Sequence, residues 1–212
     1  MIVVPHGPHD HYQKSSLTEL LPASREAPED VCNLLFFGVI RPYKGLEDLI
    51  SAFDAIPTEE IGGYWLTVVG ETWEGWTLPT TLIDQSRYRE RITFVNRYVH
   101  DHELDAFLRG SDAVVLPYVR SSLSGPLHVA MGYGLPIVIS DVGGNAEAAD
   151  GYGGIILTEP SKPEALRDAL ARVARLRGQR FQHPTNWTQT TRTYEELFER
   201  LGVAKVAPKA VQ

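Results

Sequence analysis

Cysteine is almost missing from this chain. Cys32 is the only one among 212 residues. No disulfide can close within the chain, and a reducing, cytoplasmic setting is the reading that follows. Cys32 lies in an apolar run and reads as a small buried core residue. No apolar run approaches the roughly 20 residues that cross a bilayer. The opening residues lack the basic, then apolar, then small-residue pattern of a leader. An excess of positive charge is missing too. The formal net charge is −7, which argues against a nucleic-acid surface driven by bulk charge. No Gly-x-Gly-x-x-Gly and no P-loop occurs, so neither a nicotinamide site nor a Walker-type site is supported. His6, His9 and His11 stand close together near the start. They have no carboxylate and cysteine set to complete a metal shell, and a solvated loop is the better reading.

What remains is ordinary globular composition: 43% hydrophobic and 22% charged residues, enough for one large or two small domains. Residues 2–7 read as a strand ending in a turn, and 8–30 as polar connection. Cys32 to Phe37 reads as a buried parallel strand. Leu46, Leu49, Ile50 and Phe53 then mark one face of a helix that Ile56-Pro57 ends. Tyr64 to Val69 and Ile92 to Val95 read as strands, with a weak helix over Leu78 to Arg89 between them. Asp101 is placed as the cap of a helix with Leu104, Phe107 and Leu108 inward. Ala113 to Tyr118, Pro136 to Ser140 and Gly153 to Leu157 complete six strands. A helix begins at Pro163 with Leu166, Leu170 and Val173 inward. The last, Trp187 to Leu201, is expected to bury Tyr194, Leu197, Phe198 and Leu201. Strands alternating with helices at short spacing specify an α/β fold, a doubly wound parallel sheet of Rossmann-like type. In such sheets ligands bind beyond the carboxyl ends of the strands. The Gly/Ser loops 38–45, 70–71, 118–125 and 141–144 all follow strands and are expected to meet there.

One of these loops has the chemistry of an anion site. In Ser121-Ser122-Leu123-Ser124-Gly125-Pro126-Leu127-His128, Pro126 suits the first helical position, where a missing N–H costs nothing. Ser124 or Gly125 serves as the N-cap. The amides of Leu127 and His128 are expected to point into the loop, with the partial positive charge of the helix start behind them. Phosphate is the usual guest of such a site, although a capped helix without ligand has the same sequence. Arg41 and Lys44 sit three apart in a strand-to-helix loop. Arg offers a planar fork to phosphate oxygens and Lys a mobile point charge. Two solvated surface charges are the plain alternative for that pair alone.

The run Phe37-Gly38-Val39-Ile40-Arg41-Pro42-Tyr43-Lys44-Gly45-Leu46 resembles the nucleotide-binding half of GT-B glycosyltransferases of the retaining group 1 family, family 4. The likeness continues through Val68-Val69-Gly70-Glu71, Tyr98-Val99 with Asp101 and Glu103-Leu104, and Ser111 to Tyr118. It ends in Gly134-Leu135-Pro136-Ile137-Val138 and Gly143-Gly144-x-x-Glu147. Val4-Pro5-His6-Gly7 resembles the segment leaving the other domain. Motifs in this order and spacing cover about residues 2 to 201. The resemblance implies the C-terminal half of a GT-B fold, with 1–30 as strand and connection from an acceptor domain, 31–201 as the nucleotide-sugar-binding domain, and 202–212 as tail. It implies that Arg41 and Lys44 grip the donor's diphosphate and act catalytically on the leaving group. Gly38, Ser122, Ser124, Gly125, Pro126 and Leu127 would shape the phosphate cradle. Tyr98 and Val99 would line the base, and Glu147 would order the Gly143-Gly144 turn or touch the donor.

Two departures from that pattern stand out. The family often carries two glutamates eight apart in the donor loop; the matching positions here are Ser121 and Val129, as in a subset with a Ser-x-Ser-Gly loop. The acceptor domain is also not in this sequence, so the chain would hold the donor half of a site. The reaction implied is hexosyl transfer from a nucleoside diphosphate sugar to an acceptor hydroxyl, as in polysaccharide biosynthesis. The resemblance implies no metal or other cofactor, because cations replace it and no Asp-x-Asp occurs. The partners implied are the nucleoside diphosphate sugar and an N-terminal acceptor domain, in cis or in trans. Nucleic acid and a membrane span are not among them, and peripheral membrane association would run through the acceptor domain. A non-catalytic nucleotide-binding or interaction module, and another GT-B enzyme such as a nucleotide-sugar epimerase, are the alternatives.

Overall fold

A computed structural model describes residues 27–122 and 124–202. The expected first strand, the three early histidines, Leu123 and the chain beyond Gly202 lie outside the described residues. Six strands form one sheet: β1 (Cys32–Phe37), β2 (Tyr64–Val69), β3 (Ile92–Val95), β4 (Ala113–Leu116), β5 (Ile137–Ser140) and β6 (Ile155–Thr158). Their order is β3-β2-β1-β4-β5-β6, and every pairing is parallel. The order reverses between β1 and β4, which is where a doubly wound sheet opens a crevice.

The strands are apolar on both faces because helices cover both. All six residues of β1 are buried. Successive side chains point to opposite faces. Leu34 and Phe36 pack with Leu46, Leu49 and Phe53 of α1 (Leu46–Asp54) and with Leu166, Leu170 and Val173 of α6 (Pro163–Ala174). Leu35 and Phe37 pack on the other face with Phe107, Leu108 and Leu127, which lie on α3 (Asp101–Arg109) and α4 (Gly125–Gly132). Each fully buried Leu or Phe contributes about 1.5–3 kcal/mol relative to leaving it exposed. The one polar residue inside β1 is satisfied. Asn33 Oδ1 accepts from the Thr67 hydroxyl at 2.8 Å, and its Nδ2 donates to the Gly110 carbonyl at 2.9 Å.

Several boundaries differ from the sequence reading. α2 is shorter, Leu78–Gln85, with a separate 3₁₀ turn at Arg89–Arg91. Ser86 ends it: its hydroxyl donates to Asp54 and accepts the Tyr88 N–H, a local bond that competes with helix continuation. Asp101 is the first residue of α3, not its cap. The cap is His100, whose N–H donates to the Glu103 carboxylate at 2.9 Å. α5 (Asn145–Ala148) is one turn long.

The largest difference is α7 (Trp187–Arg200). Thr190 is its only buried residue; Tyr194 and Phe198 are exposed, Leu197 is half-buried, and Leu201 just beyond is exposed as well. The periodicity correctly marks an apolar face. It carries no information about whether anything covers that face.

Candidate functional site

The loops at the carboxyl ends of the strands interlock. After β1, Ile40 N–H donates to the Glu71 carbonyl at 2.8 Å and its carbonyl accepts from Trp73 N–H at 3.0 Å, joining that loop to the one after β2. Val119 N–H donates to the Tyr43 carbonyl at 2.8 Å, joining it to the loop after β4. Two left-handed glycines allow the closest approaches. A Cβ on Gly45 (φ 68°) would stand 1.9 Å from the Pro117 carbonyl oxygen. One on Gly143 (φ 57°) would stand 1.8 Å from that of Ser121. Side chains do not fit at either place, so glycine there closes the rim. The expected convergence of the Gly/Ser loops is therefore present in the fold.

A cleft of about 550 Å³ opens at this rim. Tyr43, Lys44 and Tyr118 form one part of its wall; Arg120, Ser121, Ser122 and Ser124 form another, with Gly125 and Pro126 at the start of α4. Among the described residues no carboxylate lines it. Lys44 is 7% exposed, and no hydrogen bond or ion pair to it is found among the described residues. It ends a 3₁₀ turn, Pro42–Lys44, that lays its stem along buried surface. Burial pushes its pKa down to about 8, and the Arg41 guanidinium adds to the effect. A buried cation with no anion partner, facing an open cleft, is poised for an anionic ligand. Its Nζ lies 2.9 Å from where a Gly38 Cβ would stand, and Pro126 Cγ lies 3.9 Å from the same point. Lys44, Gly38 and the start of α4 are thus brought together.

Tyr118 is 3% exposed, and burial raises its hydroxyl above the ordinary phenol range. It stays O–H at neutral pH. Ser124 is the near group opposing that shift, but without hydrogen-bond geometry, so the Tyr118 hydroxyl is a second buried group short of a partner. The start of α4 differs in detail from expectation. Ser124 is the N-cap, Gly125 the first helical residue and Pro126 the second. The Leu127 N–H is not free. It donates to Ser124 Oγ at 3.1 Å, and His128 N–H reaches the Ser124 carbonyl at 3.4 Å. Capping consumes these amides, which leaves the partial positive charge of the helix start but not the expected row of donors.

The other residues singled out from the sequence are not in the wall of this cleft. The Arg41 guanidinium sits 3.8 Å over the Trp73 ring. Tyr98 is 63% exposed, stacked edge-on against His100; Val99 is half-buried beside the α3 core. Glu147 is exposed on α5, after the Gly143-Gly144 turn that packs on Ser121 and Ser122. Sequence reasoning missed Tyr43, Tyr118 and Arg120. Tyr43 and Tyr118 meet edge to face at 6.3 Å. Lys44 Nζ is 5.9 Å from the Tyr118 ring and Arg120 Cζ 5.9 Å from the Tyr43 ring. Position was the available signal: all three follow or flank the carboxyl ends of strands.

A reversed strand order with a cation-walled cleft at the switch point defines a Rossmann-like domain whose crevice lies where ligands bind in such sheets. Comparison with known proteins makes this specific. Residues 32–175 match the family "Glycosyl transferases group 1", and the chain belongs to that family. A GDP-mannose:glycolipid 4-beta-D-mannosyltransferase of Xanthomonas campestris pv. campestris is 31% identical over 140 residues, 65% of this chain and 39% of that protein. The chain therefore spans less than half the length of that relative. Among solved structures, the sucrose-phosphate synthase of Thermosynechococcus elongatus superposes with a TM-score of 0.67 at 23% identity, over 84% of this chain and 47% of that one. Anabaena HepE in complex with UDP and glucose superposes with a TM-score of 0.60 at 17% identity, over 82% of this chain and 49% of that one. These are GT-B enzymes, and at such identity they show the shared fold.

Proposed function

We propose that this chain is the donor-binding half of a retaining glycosyltransferase. It holds a nucleoside diphosphate sugar in the cleft between Lys44 and the start of α4, and the sugar moves to an acceptor hydroxyl held by a second domain. The observation that carries this reading is Lys44, buried in the wall of a cleft and, among the described residues, with no anion partner and no carboxylate beside it. The family membership and the relatives that are named for GDP-mannose, or solved with UDP and glucose, support it.

As the glycosidic bond breaks, charge accumulates on the departing diphosphate. Lys44 stabilises that charge from the wall. Arg41 adds a guanidinium from the rim on swinging off Trp73, and the helix start adds its partial charge. A donor fixed in place before the reaction is worth roughly 3 kcal/mol of barrier by analogy with an oxyanion hole. On this reading the cations take the role that a divalent metal has elsewhere. Gly38 leaves room for the phosphates, Ser122 and Ser124 offer hydroxyls, and Tyr98-Val99 flank the base.

A thermal-shift screen against UDP, GDP, ADP and their sugars tests the binding step, because a ligand of the folded state raises stability by mass action. A stabilisation that vanishes in Lys44→Ala is expected; no shift with any nucleotide overturns the reading. The anomeric configuration of the product, read by NMR with the acceptor domain present, tests retention. The second reading, a nucleotide-binding module without catalysis, is favoured by Ser121 and Val129 standing where the family often carries glutamates. Donor binding without transfer or donor hydrolysis by the complete protein would select it.

A further inference from the structure

Two cations, not one, line the cleft, and they stand apart. Lys44 approaches the ring of Tyr118, and Arg120 approaches the ring of Tyr43, each at 5.9 Å; the two rings meet edge to face between them. The cation that works against the charge on Lys44 is Arg41, not Arg120. Arg120 is exposed, and among the described residues no carboxylate pairs with it.

The remaining wall beside Arg120 is made of Ser121, Ser122 and Ser124. The carbonyl oxygens of Ser121 and Ser122 face the Gly143-Gly144 turn, at 1.8 and 3.1 Å from Cβ positions there, which takes them out of the cleft. Asp141 and Glu147, the acids nearest in sequence to that turn, do not line the cleft either. A neutral hexose presents several hydroxyls, which serine hydroxyls can meet as donors or acceptors, but it offers nothing that needs a cation. Here the side chains offered are a guanidinium and hydroxyls. A guanidinium fork matches a carboxylate, giving two parallel hydrogen bonds.

We propose that Arg120 is a specificity-determining residue that selects a donor whose sugar carries a carboxylate, a nucleoside diphosphate uronate. This rests on the nucleotide-sugar reading above. Lys44 and the helix start hold the diphosphate, and Arg120 holds the third negative charge across the tyrosine pair. Arg120 is exposed and ends no element, so replacing it leaves the core intact.

The test is calorimetry on the full chain in three arms. First, UDP, GDP and ADP are titrated to find the base. If none binds, the nucleotide-sugar reading falls and this inference with it. Second, the matched pair carrying that base is compared: UDP-glucuronate with UDP-glucose, GDP-mannuronate with GDP-mannose, or ADP-glucuronate with ADP-glucose. The uronate is expected to bind at least tenfold more tightly; equal or weaker binding overturns the inference and leaves the nucleotide reading standing. Third, Arg120→Gln is expected to cut the uronate preference at least tenfold, with Arg120→Lys keeping part of it. If Arg120→Gln weakens the bare nucleotide and the uronate by the same factor, Arg120 holds the diphosphate instead, and the inference is overturned.

Discussion

At the scale of single residues, Lys44 makes the sharpest prediction. Its pKa is lowered to about 8, first by burial and then by Arg41. A diphosphate beside it favours the ammonium and raises that value, so donor binding above pH 8 takes up a proton. Affinity for a nucleotide sugar is expected to be flat from pH 6.5 to 7.5 and to fall up to about tenfold per pH unit above 8. Calorimetry in buffers of different ionisation enthalpy reads the proton uptake directly. Without ligand the sign is opposite: the folded pKa lies below the ordinary 10.5, so stability rises as pH climbs from 8 toward 10.5 and the buried charge is lost. An affinity that stays level through pH 9.5 in wild type would remove Lys44 from the site.

Arg41 gives a complementary case. Its stacking on Trp73 contributes about 0.5–1 kcal/mol at an exposed site, a small cost to release. Arg41→Ala should weaken nucleotide diphosphate binding more than tenfold, and Arg41→Lys should not restore it, since an ammonium cannot form the fork. Unchanged affinity in Arg41→Ala would mean that the guanidinium stays on Trp73. The Arg41–Lys44 pair was legible in the sequence because its spacing and its place after an apolar strand are local facts. The stacking was not, because it depends on how the next strand's loop folds back. Arg120 was illegible for the same reason: in sequence it is one more charge in a polar loop.

At the scale of elements, the helix starts show where local reading succeeds and where it misses by a residue. Ser124 does cap α4, but the hydroxyl that satisfies Leu127 N–H withdraws that amide from any ligand. A cap and an anion site compete for the same donors, and composition alone does not say which wins. At α3, the cap is His100 rather than Asp101, and Glu103 in the first turn closes it. Glu103 accepts from His100 N–H and, at 2.5 and 3.1 Å, from the Arg97 guanidinium. The Arg97 hydrogen bonds come first among the causes that hold its pKa down to about 2. A depressed carboxylate pKa gives stability that is full above the ordinary value of 4.5 and is lost as pH falls toward 2. Glu103→Ala should therefore cost about 1 kcal/mol at pH 7. That corresponds to roughly 2–4 °C in Tm for a domain of this size, shrinking to nothing near pH 2. Equal Tm losses at pH 7 and pH 2.5, read by circular dichroism, would assign Glu103 a packing role instead. The strands, by contrast, were read nearly residue for residue, because burial on both faces leaves a continuous apolar run that loops interrupt sharply.

At the scale of the whole molecule, the described core is built by the sheet and its two helical layers, and no residue of α7 belongs to it. Phe53 on α1 is fully buried between the sheet and α6, whereas Tyr194 and Phe198 on α7 are close to half exposed. The fold class was legible because alternation of apolar strands and amphipathic helices fixes a layered sheet. The burial of α7 was not, because an apolar stripe looks the same whether its partner is present or absent. The contrast makes a stability prediction that separates the two kinds of aromatic residue. Phe53→Ala removes a packed ring from the core and should cost about 3–5 kcal/mol. Tyr194→Ser with Phe198→Ser removes rings that keep nearly half of their surface in water and should cost clearly less than that, about 1 kcal/mol. Urea unfolding of the chain measures both, with the slope m unchanged as a check that the transition remains two-state. If the α7 double variant loses as much stability as Phe53→Ala, then α7 is packed in solution and its open face is not a property of the molecule. If it loses little, the final helix is held by its own hydrogen bonds, and its amides should exchange with solvent well before those of β1.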